Sequence, residues 1–328
     1  MRPLTYLLAA GLTSVALVAC GSDDNKSSST PEKTAAPAST PADTGQIAKN
    51  PANASISLKI GSKNFTEQKI LGEIFAQGLA AAGYNTTTDL NLGDEQTALK
   101  AVKSGQIDAY PEYTGTALLS FFKTPADKLP TDPMEAYNLA KADFAKEGLA
   151  AFPPTPFTDS NEVAVTKATA DKYNLKNISD LSSVADKLVL YGTPECRQRL
   201  DCLLGLEKTY GLKFKKFVPV APDQRHEVLQ SGRADVSIVF TTDPQIKRNG
   251  EVLLEDDKGM FPPYNSTLVM KQETADKAGP DLAKTIDLLQ EQLTDENMQE
   301  LNARVDLDGQ EPADVAKAYL QETGLIPG

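Results

Sequence analysis

The stretch DAYPEYTGT at residues 108–116 sets two tyrosines, Tyr110 and Tyr113, around Pro111 and just ahead of Gly115. Three positions is close to one helical turn, and ring faces so placed can meet a cation. Each contact contributes ~0.5 to 2 kcal/mol, according to how far it is shielded from water. Core packing, or a turn after a strand, is the plainer reading of the same residues. A quaternary ammonium has no proton to donate, so aromatic faces are the means of holding it. A carboxylate at the other end of such a solute calls for Lys or Arg with neutral donors beside it. Lys63, Tyr110, Tyr113 and Tyr264 have the side chains for both tasks.

Bond-breaking chemistry has little to work with. The chain has one histidine, His226, in QRHEVLQSG; it reads as an ordinary helical residue, with no nucleophile elbow or paired-histidine zinc motif nearby. Glu255, Asp256 and Asp257 form one acidic run, and Asp306 and Asp308 precede Gly309. The second group does not complete a calcium loop, and both read as solvated turns. No metal and no cofactor is expected.

Residues 1–20, MRPLTYLLAAGLTSVALVAC, carry one charge, Arg2, then an apolar run and small residues ending in Cys20. This is the pattern of a secretory signal, and LVAC ahead of Gly21 resembles the lipobox of bacterial lipoproteins. The resemblance implies removal of residues 1–19 and lipid on Cys20. Residues 20–55 then form a lipid-bearing, disordered tether, because Ser, Thr, Ala, Pro and Asp bury too little surface to offset ordering. About 35 flexible residues reach roughly 30 Å. The formal net charge of the 328-residue chain is −12, which excludes nucleic acid and polybasic membrane docking.

The body, residues 56–328, exceeds the usual single-domain size and favours two lobes. ISLKIG at 56–61 reads as a strand, and Ile70, Leu71, Ile74, Phe75 and Leu79 form one helical stripe, which Asn64 or Thr66 could cap. TTTDLNLG, DEQTALKAVKSG and IDAY continue a βαβ alternation, which implies a parallel-rich α/β sheet covered on both faces. A second series follows FPPTPFTDS, with strands near 187–191, 215–220, 235–240 and 251–254 and a short helix from about Glu227. The last third is helical, with Pro280 and Pro312 at first-turn positions. Ligands of such sheets sit beyond the strands' carboxyl ends, which selects Lys63 to Gln68, Tyr110 to Thr116, Tyr191 to Arg199 and Thr241 to Asp243. In an exported chain Cys196 and Cys202 are expected to pair. Six helical positions separate them too far for a bridge, so CRQRLDC is expected to be a tight loop.

GSKNFTEQKILGE, LNLGDEQTALKAVKSGQIDAYPEYTGTALL and LEDDKGMFPPY resemble the glycine betaine/choline-binding proteins of osmoprotectant ABC importers, from about residue 57 to the end. The resemblance implies the two-lobe type II periplasmic-binding-protein fold. Residues 56–157 with 265–328 would make one lobe and 158–264 the other, with hinge crossovers at FPPTPFTDS and GMFPPYN. It carries a ligand role onto Lys63 and Asn64 of GSKNFTEQ, and onto Tyr110, Tyr113 and Thr116 of YPEYTGT. The same role falls on Asp159 and Asn161 of DSNEVAV, Glu195 and Arg199 of TPECRQR, Thr241 and Thr242 of FTTD, and Tyr264 of FPPY. Relatives often have a tyrosine where Asn161 stands and an aromatic near Thr241, so the cage is thinned on that side. CRQRLDC also departs from relatives, and the resemblance makes it a staple for the Glu195–Arg199 loop.

The resulting expectation is a monomeric receptor, lipid-anchored at the extracytoplasmic face of a bacterial membrane, that delivers a quaternary-ammonium osmoprotectant to an ABC permease. Glycine betaine, choline and carnitine are the class. Three other readings stand beside it: the same receptor for a polar, non-quaternary solute, a sensory binding domain, and a surface-anchored hydrolase.

Overall fold

The computed structural model describes residues 45–328 apart from 126–127; the expected signal segment and Cys20 lie outside the described residues. The chain lays down β1 (Ser57–Gly61), β2 (Asn85–Asp89), β3 (Ala109–Tyr113) and β4 (Leu149–Ala151) in one lobe. It then crosses to build β5 (Asn161–Thr166), β6 (Val189–Gly192), β7 (Lys216–Pro219), β8 (Val236–Phe240) and β9 (Glu251–Leu254) in the other. Finally it returns to the first lobe as β10 (Ser266–Lys271). The sheets have equivalent orders, β2-β1-β3-β10-β4 and β7-β6-β8-β5-β9.

Each sheet is mixed. β2, β1 and β3 pair in parallel, as do β7, β6 and β8, while β10 and β5 run antiparallel to both of their neighbours. The reversed strand is in each case the first after a crossing. β1, β3, β6 and β8 end at the space between the lobes, so a chain arriving from the other lobe starts there and runs away from it. The crossings lie side by side through an antiparallel bridge between Thr158 and Asn265. Asn265 Nδ2 donates to the carbonyls of Thr155 and Phe157 at 3.1 and 3.0 Å, tying the pair together.

Alternation on β1 buries Leu58 and Ile60. The stripe of α1 (Thr66–Ala81), which includes Ile70, Ile74, Phe75 and Leu79, covers that sheet face with Leu282, Ile286, Leu289, Val315 and Leu320 of the carboxyl-terminal helices. Phe65 is the residue before α1 and makes no side-chain cap, nor does Asn64 or Thr66 supply one. The opposite face packs Val102 of α2 (Glu95–Ser104) with Tyr110, Leu118, Tyr137 and Phe144. The second lobe centres on Val163, Leu190, Leu206 and Val236, joined by the disulfide between Cys196 and Cys202. The expected tether is too long at its carboxyl end. Ile47 is buried and its N–H donates to the Leu325 carbonyl at 2.9 Å, and Asn53 Nδ2 donates to the Ala82 carbonyl at 3.0 Å. An isoleucine and an asparagine thus give this stretch both apolar surface to bury and backbone to bind.

His226 is not an ordinary helical residue. It is buried at the start of the helix Glu227–Gln230, with Nδ1 2.8 Å from Glu251 Oε2 and Nε2 2.9 Å from Asp243 Oδ2. Carboxylates only accept, so both ring nitrogens must donate and the ring is an imidazolium. Burial alone would lower its pKa, but the bonds to Asp243 and Glu251 outweigh burial and raise it. Asp243 also takes a guanidinium fork from Arg225, with Nε at 2.6 Å, which offsets its own burial and holds it at about 2. The stabilisation from the imidazolium is complete below its unfolded pKa of about 6.5 and disappears as pH rises through the raised folded value. Replacing His226→Gln should therefore lower stability more at about pH 6 than at about pH 9 in denaturant unfolding. An equal loss at both values would show the ring to be neutral.

Candidate functional site

Between the lobes lies a cavity of about 80 Å³. The first lobe contributes Lys63, Asn64 and Phe65 after β1, Asp94 and Glu95 at the start of α2, Tyr113 at the end of β3 and Thr116 in the helical turn that follows it. The second contributes Tyr191, Thr193, Glu195, Arg199 and Cys202 after β6, Pro222 and Arg225, and Ile238 and Phe240 of β8. Asp159, Asn161 and Tyr264 line it from the crossings and the start of β5.

Nine of the twelve ligand residues expected from sequence are in that lining; Tyr110, Thr241 and Thr242 are not. Tyr110 is fully buried in the core on the α2 face, while Tyr113 packs on the α1 face. The segment is a strand, whose side chains alternate, so a spacing of three sends the rings to opposite faces. Thr241 joins the crossing: its hydroxyl accepts from the Ser160 N–H at 3.0 Å and donates to the Thr158 carbonyl at 3.2 Å. Thr242 sits behind the cavity, its Oγ1 2.6 Å from Glu67 Oε2 and 2.8 Å from Asp159 Oδ1.

The cations of the lining are paired with carboxylates of the chain itself. Lys63 bonds to buried Glu112, and its Nζ stands 4.5 Å from the Tyr113 ring centre and 5.8 Å from that of Phe65. Arg199 donates through Nε and Nη2 to Asp201 at 2.8 and 2.5 Å, and its Nη1 lies 3.3 Å from Glu95 Oε2 across the cleft. Arg225 forks Asp243, with its guanidinium 4.5 Å from the Phe240 ring centre. Asp201 also accepts from Asn161 Nδ2 at 3.0 Å and the Tyr264 hydroxyl at 2.7 Å. Burial would raise Asp201, but Arg199 and the Tyr264 hydroxyl hold it below the usual carboxylate range.

The lobes are fastened together behind this wall. Glu67 of α1 accepts from the Tyr113 hydroxyl at 2.7 Å and from Asn302 Nδ2 at 3.0 Å, and meets Thr242 of the other lobe. A threonine hydroxyl carries one proton and here faces two carboxyl groups, so the second bond needs a proton on Glu67 or Asp159. Asp159 is the holder. Burial, then the charges of Glu67 and Asp243, push its pKa well up; burial raises Glu67 too, but three donors, Thr242, Tyr113 and Asn302, oppose that rise. Asp306 accepts from the Thr66 hydroxyl at 2.6 Å and from Gln245 Nε2 at 3.0 Å, so it is an interlobe tie and no solvated turn. Asp256 likewise bonds the Tyr210 hydroxyl and, at 2.8 Å, the Phe261 N–H.

Phe65, Glu95, Tyr191, Arg225 and Phe240 are lining residues that the ligand set read from sequence lacks. Tyr191 lies within a loop that the strand-end rule selected, and Phe65 is inside GSKNFTEQ. Glu95 and Arg225 carry no local signal, because what they face belongs to the other lobe or to a distant segment.

Two lobes of mixed α/β sheet, two paired crossings and a walled cavity between them define a solute-binding protein of the two-lobe periplasmic class. Over residues 56–322 the sequence matches the family described as the substrate binding domain of ABC-type glycine betaine transport systems, and the chain belongs to that family. It is 33% identical over 280 residues to the glycine-betaine-binding protein of Pseudomonas aeruginosa, covering 82% of this chain and 88% of that one. It is 30% identical over 275 residues to the carnitine transport binding protein OpuCC of Listeria monocytogenes, covering 83% and 88%. A solved glycine betaine/carnitine/choline ABC transporter structure superposes with a TM-score of 0.65 at 28% identity, covering 81% of this chain and 98% of that one.

Because Asp159 is buried with a raised pKa, the folded state loses stability as pH climbs from the unfolded value of about 3.9 through the raised one. Replacing Asp159→Asn removes that loss. Thermal unfolding should show the variant gaining on the wild type from about pH 5 to about pH 8, and a constant difference would place the proton elsewhere.

Proposed function

We propose that the chain is the extracytoplasmic receptor of an ABC importer and takes a quaternary-ammonium osmoprotectant of the glycine betaine, choline or carnitine class into the cleft. The observation that carries this reading is the convergence of Phe65, Tyr113, Tyr191, Phe240 and Tyr264 on one small cavity. Lys63 and Arg225 already face Tyr113, Phe65 and Phe240. Tyr191 and Tyr264 carry no cation of the chain over their rings among the described residues, and they are the seat for the ammonium group. Lys63, Asn64, Thr116, Asp159, Asn161, Glu195 and Arg199 complete the binding wall. The receptor acts as a monomer, held to the membrane by lipid on Cys20, and hands its solute to the permease. Its work is binding and delivery; the chain's one histidine, His226, is held between Glu251 and Asp243 outside the cavity lining.

A polar, non-quaternary solute is the second reading, favoured by Asn161 at the wall and by the rings already facing Lys63 and Arg225. Calorimetric titration separates the two, with saturable heat from at least one of glycine betaine, choline and carnitine expected. Silence from all three while a polar solute co-purifies would transfer the assignment. Tyr264→Ala should weaken binding by about tenfold or more. Gly115→Ala should weaken it too, because a Cβ there would meet ring carbons of Tyr264 at 2.7 and 2.8 Å while the hydroxyl is tied to Asp201. Full affinity in both variants would remove the ring from the site.

A further inference from the structure

Arg199 is the residue from which a carboxylate-bearing solute would expect its clamp, and the chain has already filled it. Its Nε and Nη2 edge is taken by Asp201, a fully buried carboxylate that Asn161 and Tyr264 also hold in place. Its remaining nitrogen, Nη1, faces Glu95 Oε2 at 3.3 Å. Lys63 is engaged by Glu112 and Arg225 by Asp243. Against these three satisfied cations the lining adds Glu195 and Asp94, for neither of which an ion-pair partner occurs among the described residues. A solute carboxylate entering this wall would meet no unpaired cation and two unpaired carboxylates, whereas a solute with a net positive charge would find its partners in those same carboxylates. Burying one unpaired charge is what such a wall penalises most.

We infer that the cleft selects a net cation over a zwitterion of the same shape, and that Glu95 is the specificity-determining residue. This rests on the quaternary-ammonium reading and deepens it. Glu95 is 5% exposed at the first position of α2, held by the capping of Asp94 Oδ1 on the Thr97 N–H at 2.9 Å. It therefore reaches across the lobes from a fixed point and occupies the nitrogen a ligand carboxylate would use. Removing its charge without changing its shape opens Nη1 to the solute.

Choline and glycine betaine form the probe pair, since both carry a trimethylammonium group and only glycine betaine carries a carboxylate. Titration of the wild-type protein with each should show choline bound more tightly by about tenfold or more, and Glu95→Gln should shift that ratio towards glycine betaine by about tenfold, with unfolding midpoints recorded alongside. A wild type that prefers glycine betaine overturns the inference whatever the variant does. So does a Glu95→Gln ratio equal to that of wild type, because loss of both ligands in proportion would make Glu95 only a clasp between the lobes. If neither compound binds the wild type the inference falls, and if carnitine does not bind either, the quaternary-ammonium reading falls with it.

Discussion

Charge buried between two lobes persists only when it is partnered, and that requirement organises this molecule. Lys63 with Glu112, Arg199 with Asp201, and Arg225 with Asp243 and His226 are all withdrawn from water at or beside the cleft. An isolated charge at such a site would carry a penalty of several kcal/mol, and only close geometry with further hydrogen bonds offsets it. Each pair accordingly has helpers: Tyr110 and the Tyr113 N–H on Glu112, Asn161 and Tyr264 on Asp201, and the Phe240 N–H on Asp243. Each of these pairs is therefore held rigid within its own lobe.

That rigidity is tied to the mixed sheets. A strand that begins at the cleft must run away from it, so each crossing delivers one antiparallel strand into an otherwise parallel set. The same crossings carry Asp159, Asn161 and Tyr264 to the wall. The residues that join the lobes and the residues that line the cavity are thus neighbours on a few turns of chain. Movement of one lobe against the other would pass directly through the site, and the contacts of Glu67 with Thr242 and of Arg199 with Glu95 would be made or lost together with closure.

Membership of the glycine betaine transport family gives the role of the cleft, but the wall here has its own character. Aromatic rings are present, yet several already face cations belonging to the protein, and an asparagine stands at Asn161 beside the Asp201 carboxylate. On the proposed reading, recognition would depend on the charge left over once the chain has satisfied itself, as much as on ring faces.

By itself the sequence determined the α/β class, the parallel strands, the helical last third, the Cys196–Cys202 loop and the positions of the strand ends near the site. These follow from short-range rules, namely alternation, helical periodicity, turn residues and cysteine spacing. Through the motif resemblance it also picked out nine residues that line the cavity. What only the tertiary structure decided is direction and partnership. The motif left open which face Tyr110 takes, and β3 being a strand sends it to the core. Ile47 and Asn53 look like tether until Leu325 and Ala82 are brought beside them. His226, Asp306 and Glu95 are unremarkable in sequence because the groups that define them lie between 17 and 240 residues away. Electrostatic and hydrogen-bond partners are chosen by proximity in space, and a local reading of the chain has no access to that distance.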